Sequence, residues 1–237
     1  MRFRLPLPSL RRAALALIVA GLSEAGHAQL VGLPPAPVLS PDGYQLILDY
    51  EVGGGRPYYE KCLARPTWPG AASGVTIGVG YDCGYNSAAV IRTDWDALDE
   101  RARSRLAATA LISGPRARPI ASTLRDVLIR WNLAEGVFNR VSLARFYQLT
   151  ARTFPGFEQL AANAQAALVS LTFNRGSSMS GPRRTEMRAI RAAVPRRDYR
   201  EIAAQLRAMK HIWAEQGMEG LIRRREAEAQ LVESCAR

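Results

Sequence analysis

The sequence predicts a predominantly helical α+β protein, with a small strand-containing lobe followed by a larger helical lobe. Three observations carry this. Residues 52–90 are dense in glycine and proline and fit short strands and turns. From Ser87 onward, apolar residues recur at helical spacing in segments broken by Gly114-Pro115, Pro155-Gly156 and Pro195. No motif repeats at a fixed period, which excludes a solenoid or propeller. The 48% hydrophobic and 22% charged composition is that of a globular chain.

The N-terminus has Arg2, Arg4, Arg11 and Arg12 ahead of an apolar run from Ala13 to Leu22, with small residues Gly26 and Ala28 before Gln29. The run is too short for a bilayer span and suits an export signal over residues 1–28, with a retained N-terminal anchor as the other reading. Its removal takes four arginines and one glutamate and lowers the net charge from +11 to +8. A periplasmic or secreted protein, with no stable membrane span once the signal is cleaved, is the expectation. Residues 29–39 form a proline-rich lead-in, and residues 40–237 a single domain.

Ser40-Pro41 offers a helix N-cap with proline at the first helical position. Leu46, Ile47 and Tyr50 suit one face of a helix over about 41–51, which Gly43 weakens. Gly53-Gly54-Gly55 must end it, so Glu51 stands at its C-terminal end. The strand-and-turn region follows. Helical spacing then predicts segments near 93–111, 121–130, 134–150, 160–172, 183–193 and 198–209.

The chemistry-bearing residues are few. Outside the export segment His211 is the sole histidine, which leaves little material for a histidine-rich metal site or a serine triad. No metal or cofactor is called for. A carboxyl partly withdrawn from water, as at Glu51, suits general-acid work. Glu60 and Asp82 are the nearby carboxylates. An acid and a base flanking a glycosidic bond at about 6.5–9.5 Å define an inverting glycosidase. Solvated surface carboxylates are the plain alternative. Thr76-Ile77-Gly78-Val79-Gly80 lacks a dinucleotide fingerprint and reads as a strand whose glycines admit close approach by a ligand or by another chain segment. An exported chain favours a disulfide, with Cys62 and Cys83 as the compact pair and Cys235 left over; three separate thiols are the alternative.

These residues resemble a known family. EVGGGRPYYE, TIGVG, ALVSLTFNRG at 167–176 and WAEQGMEGLIRRREAEAQL at 213–231 are similar, in that order, to the motifs of the phage-type lysozymes, glycoside hydrolase family 24, over about residues 40–232. The resemblance implies the bilobed lysozyme-like fold. It places Glu51 on the family's acid, Glu60 on its aspartate, Tyr58 on its tyrosine and Thr76 on the threonine that helps hold the attacking water. Asn174 would shape the groove, Trp213 would anchor the core, and Arg224, Arg225 and Glu228 would hold the final helix. Two departures stand out. Glutamate replaces the aspartate at residue 60, and fifteen residues separate it from Thr76 where the family has about five. Asp82 is therefore the reserve base. Trp68, in the insertion, either stacks on a sugar or pins its loop.

The implied activity is hydrolysis of the β-1,4 bond between N-acetylmuramic acid and N-acetylglucosamine by a monomeric enzyme, with Tyr58, Trp68, Gly78, Tyr81 and Asn174 contacting glycan. The basic surface fits peptidoglycan or a related anionic glycan. Hydrolysis of a chitin-like glycan, or glycan binding without catalysis, are the alternatives. No zinc spacing or aromatic-basic motif supports a nucleic-acid partner.

Overall fold

The computed structural model describes residues 39–53 and 55–236. The segment expected to be an export signal and, apart from Leu39, the proline-rich lead-in lie outside the described residues.

Helix α1 (Pro41–Val52) starts and stops on local signals. Ser40 Oγ accepts from Gly43 N at 3.2 Å, Pro41 occupies the first turn, and Gly53 closes the helix in the left-handed conformation at φ 66°. Gly43 has a tertiary role beyond its low helix propensity. A Cβ there would lie 2.1 Å from Ala166 Cβ, so glycine permits the close packing of α1 on α8 (Ala162–Arg175).

The glycine-rich region departs from the strand-and-turn expectation at its start. The chain resumes as α2 (Gly55–Tyr58) and a π-helical turn over Tyr59–Leu63. The cause is tertiary. Tyr59 is fully buried edge-on against Trp131 at 5.2 Å, and its hydroxyl donates to Ile129 O at 2.9 Å. The strands themselves are short: β1 (Thr76–Ile77) pairs antiparallel with β2 (Tyr81–Asp82), Thr76 opposite Asp82. The insertion before them folds back onto this hairpin. Thr67 and Thr76 exchange backbone hydrogen bonds at 3.0 and 2.8 Å.

Helix α3 (Ala88–Asp94) ends just inside the segment whose spacing predicts one helix over 93–111, and α4 (Glu100–Ala107) forms its middle. The break has a local reason. Trp95 leaves helical geometry, and Asp99 caps a new helix by accepting from Ala102 N at 2.9 Å. Helix α5 (Ala117–Thr123) precedes the helical lobe. There α6 (Trp131–Val137) and α7 (Ala144–Thr153) join through a π-helical stretch, Phe138–Leu143, close to the expected 134–150 segment. The central α8 packs against α7, α1 and the C-terminal α12 (Glu219–Glu233). Helices α9 (Thr185–Ala193), α10 (Tyr199–Ala208) and α11 (His211–Ala214) complete the lobe. One apolar core runs through both parts, from Leu39 to Val232. No helix among the described residues is long and apolar enough to cross a membrane.

Of the two readings of the cysteines, the structure has the separate thiols and not the Cys62–Cys83 pair. Cys62, Cys83 and Cys235 are all free thiols. Cys62 is exposed on the π-helical turn, whereas Cys83 is completely buried behind the hairpin, where burial pushes its thiol up to about 12.

Candidate active site

The buried face of α1 carries Ile47, Leu48, Glu51 and Val52. Spacings of three and four residues put Glu51 on the same stripe as the two apolar residues, so its carboxylate turns inward. The facing helix has a matching polar stretch. Arg224, Arg225 and Glu228 are buried in the middle of α12, ahead of Ala229 and Val232. Ser170 completes the set, within the apolar Ala166–Phe173 run of α8.

These residues form one cluster. Arg224 Nη2 donates to Glu51 Oε1 at 2.9 Å and to Ser170 O at 2.9 Å. Arg224 Nε donates to Ser170 Oγ at 3.1 Å and to Glu228 Oε1 at 3.2 Å. The same Glu228 oxygen accepts from Ser170 Oγ at 2.6 Å and from Arg225 Nη2 at 2.7 Å. The Arg224 guanidinium also lies 5.4 Å from the Tyr50 ring centroid. Buried charges persist only when paired and hydrogen-bonded, and here two glutamates meet two arginines. Arg225, completely buried, is pushed down to about 10 by desolvation and stays charged at neutral pH. Its guanidinium and that of Arg175 lie 5.8 and 5.2 Å from the Trp213 ring, and Trp213 is a buried core residue.

The other candidate residues lie in distinct surroundings. Glu60 is exposed on the turn after α2, bonded to Arg56 Nε at 2.7 Å. Thr76 is buried, and its Oγ1 has no hydrogen-bond partner among the described residues. Asp82 is buried and accepts three contacts from backbone: Gly74 N at 3.0 Å to each carboxylate oxygen, and Gly84 N at 2.8 Å. Desolvation outweighs those donors and pushes its carboxyl up to about 6. Asp82 thus cross-links the loops on either side of the hairpin.

Gly78 has a packing reason for being glycine. It is buried at φ +57°, and a Cβ would lie 2.6 Å from Trp95 Cη2. Tyr81 is buried edge-on to Trp95 at 5.5 Å, its hydroxyl donating to Asp94 Oδ2 at 2.8 Å. Trp68 is half-buried; its Nε1 donates to Ser73 O at 2.9 Å, and Arg118 lies 5.9 Å from its ring. Tyr58 is 44% exposed. Asn174 lies in the last turn of α8, with a buried Oδ1 that has no partner among the described residues.

The sequence assigns Arg224, Arg225 and Glu228 to holding the last helix, but does not reveal the contact of Arg224 with Glu51 or the gathering of both arginines on Glu228. The available signal was a pair of arginines and a glutamate at a spacing that places all three on one helix face, otherwise apolar further along.

A predominantly helical α+β fold with a small two-stranded antiparallel sheet is that of the lysozyme-like class. The family model described as phage lysozyme matches residues 67–228. The chain belongs to the phage lysozyme family, whose class is the peptidoglycan-hydrolysing lysozymes. The matched segment begins after Glu51, Tyr58 and Glu60 and ends at Glu228. No curated protein matches the chain.

Proposed function

We propose that the protein is an exported, monomeric muramidase that cuts the β-1,4 bond between N-acetylmuramic acid and N-acetylglucosamine in peptidoglycan. The observation that carries this is Glu51. In a chain of the phage lysozyme family, it is a buried carboxylate at the end of α1, fixed by Arg224. Glu51 protonates the oxygen of the departing sugar. Glu60, with the Thr76 hydroxyl, orients and deprotonates a water on the opposite face of the ring, and the anomeric configuration inverts. Glu60 suits the base because it is exposed, and the Thr76 hydroxyl has no competing partner among the described residues. Asp82 spends both oxygens on backbone N–H groups, which favours a structural part for it.

Tyr58, Trp68 and Asn174 are the proposed glycan contacts. Gly78 and Tyr81 contribute by shaping the hairpin that carries Thr76. The basic surface steers the enzyme to an anionic wall polymer, an effect that salt screens.

The test is release of reducing ends from purified sacculi, with identification of the sugar at the new reducing end. N-acetylmuramic acid there is the expected result. N-acetylglucosamine there would overturn the muramidase assignment, and a preference for chitooligosaccharides would favour the chitin-like alternative. Glu51→Gln should fold and lose activity by at least about a hundredfold, the scale of a lost general acid. Unchanged activity would remove Glu51 from its role. Binding to sacculi without any release would support a glycan-binding protein instead.

A further inference from the structure

An adjacent guanidinium favours a carboxylate over a carboxylic acid. A general acid needs the reverse: it must carry a proton when substrate is bound. Arg224, 2.9 Å from Glu51, therefore works against the role proposed for Glu51 unless its charge is spent elsewhere. The cluster contains the group that spends it.

We infer that Glu228 is a positioning residue for this reaction, holding Arg224 in place through Ser170 and offsetting its charge so that Glu51 can keep its proton. The inference rests on the assignment of Glu51 as the acid. One oxygen of Glu228 gathers Ser170 Oγ at 2.6 Å, Arg225 Nη2 at 2.7 Å and Arg224 Nε at 3.2 Å. Glu228 has no exposed surface, and Arg224 is 4% exposed. Water screens such charges weakly, so each one is felt at its neighbours. Arg224 is held at Nε by Glu228 and Ser170 and at Nη2 by the Ser170 carbonyl, which leaves the Nη2 fork to meet Glu51 in one orientation.

The charge count gives the sign. Glu51 on α1 faces Arg224 on α12, with Tyr50 beneath that guanidinium. Arg223, Arg225 and Glu228 are the other charged groups that act on Tyr50 from α12. Ser170 is the polar contribution of α8, and Arg175 of the same helix meets the Trp213 ring that Arg225 also meets and feels the Arg225 charge. Arg224 and Arg225 balance Glu228 and an ionised Glu51, and protonating Glu51 leaves one net positive charge. Without Glu228 the protonated state would carry two, and Glu51 would release its proton at lower pH. Without Arg225 it would carry none, and Glu51 would hold its proton to higher pH.

Loss of the acid's proton sets the alkaline limb of the pH–rate profile. Glu228→Gln keeps the side chain's shape and should move that limb down by about one pH unit, and Arg225→Met should move it up by a similar amount. Ser170→Ala changes no charge. It should leave the limb in place and lower kcat severalfold with little change in KM, because Arg224 loses a support. These are measured as kcat/KM on purified peptidoglycan between pH 4 and 9, on proteins whose folding is checked by circular dichroism. Opposite movements in the two charge variants support the inference, and either one alone supports it if the other fails to fold. A limb that stays put in a folded Glu228→Gln or Arg225→Met protein, or moves the same way in both, overturns it. So does a Ser170→Ala protein with unaltered kcat, which keeps the test decisive should neither charge variant fold. Failure of the wild-type protein to hydrolyse peptidoglycan, or full activity of Glu51→Gln, would remove the Glu51 assignment and this inference with it. Normal hydrolysis dependent on Glu51, with unmoved limbs, would remove this inference alone.

Discussion

Arg224 and Glu51 stand 173 positions apart in sequence and meet at 2.9 Å, joining the first described helix to the last. Both are buried, so each depends on the other for the water it has lost. Removing one member of a buried pair strands the other, at a cost of about 3–5 kcal/mol. Arg224→Met is therefore expected to destabilise the protein by that order. Glu51→Gln should cost much less, because the amide oxygen can still accept from Nη2. The double variant should regain part of the loss, since no unpaired charge then faces that contact. Urea unfolding of the four proteins gives the coupling directly, and additive effects would show that the pair contributes nothing as a pair.

The placement of Glu51 also depends on a glycine. A Cβ at Gly43 would lie 2.1 Å from Ala166 Cβ, in a helix–helix contact between two backbones that cannot easily part. Helix propensity alone makes Gly→Ala stabilising by up to about 1 kcal/mol. Here overpacking should dominate, and Gly43→Ala should lose about 1–3 kcal/mol. The paired variant Gly43→Ala with Ala166→Gly should recover most of that. A Gly43→Ala protein as stable as wild type would show that α1 can shift on α8 without penalty.

Much of α1 was legible because its signals are local: Ser40 caps it, Pro41 opens it and Gly53 closes it. The helical segments after Ser87 were legible for the same reason, with errors where a tertiary contact decided. Residues 55–63 wind into helix because Tyr59 finds Trp131 and Ile129, more than sixty positions away, and no periodicity in a glycine-rich stretch announces that. Glu51 could be singled out by its position at a helix end. Its partner could not, because arginines within a helix read equally well as solvated charge. Only packing of α1, α8 and α12 turns Arg224, Glu228 and Ser170 toward one point.

Asp82 makes a pH prediction with a definite sign. Its carboxyl is pushed from 3.8 up to about 6 in the folded protein. The folded state therefore holds this proton more tightly than the unfolded state. The stabilisation is complete below about pH 4, declines as the pH rises and is gone above about pH 6. The shift corresponds to roughly 3 kcal/mol at 1.36 kcal/mol per unit. Asp82→Asn retains an acceptor for Gly84 N and cannot titrate. The stability of wild type relative to Asp82→Asn should fall by that order between pH 4 and 7 in denaturant titrations. A difference that is flat over this range would mean that the backbone donors around Asp82 fully compensate its burial. Activity of the same variant bears on the base: Asp82→Asn should keep its turnover near neutral pH wherever it remains folded, whereas Glu60→Gln should lose it by at least about a hundredfold.

The thiols provide a last check, on the small lobe. Cys62 is exposed and Cys83 is fully buried, with both free. A thiol reagent on the folded protein, purified under oxidising conditions, should modify Cys62 quickly. Cys83 should react only when the hairpin opens, since burial pushes its thiol up to about 12 and the thiolate is the reactive form. Cys62→Ser should then leave the melting temperature within a degree or two, because an exposed side chain is lost and no cross-link is broken. A bridge closing the loop between residues 62 and 83 would instead contribute about 3 kcal/mol, and its removal would lower the melting temperature by several degrees. Rapid labelling of Cys62 together with an unaltered melting curve is the expected pair of results. A protein that shows no reactive thiol at Cys62 until a reductant is added would mean that an oxidising environment closes a bond absent from this fold.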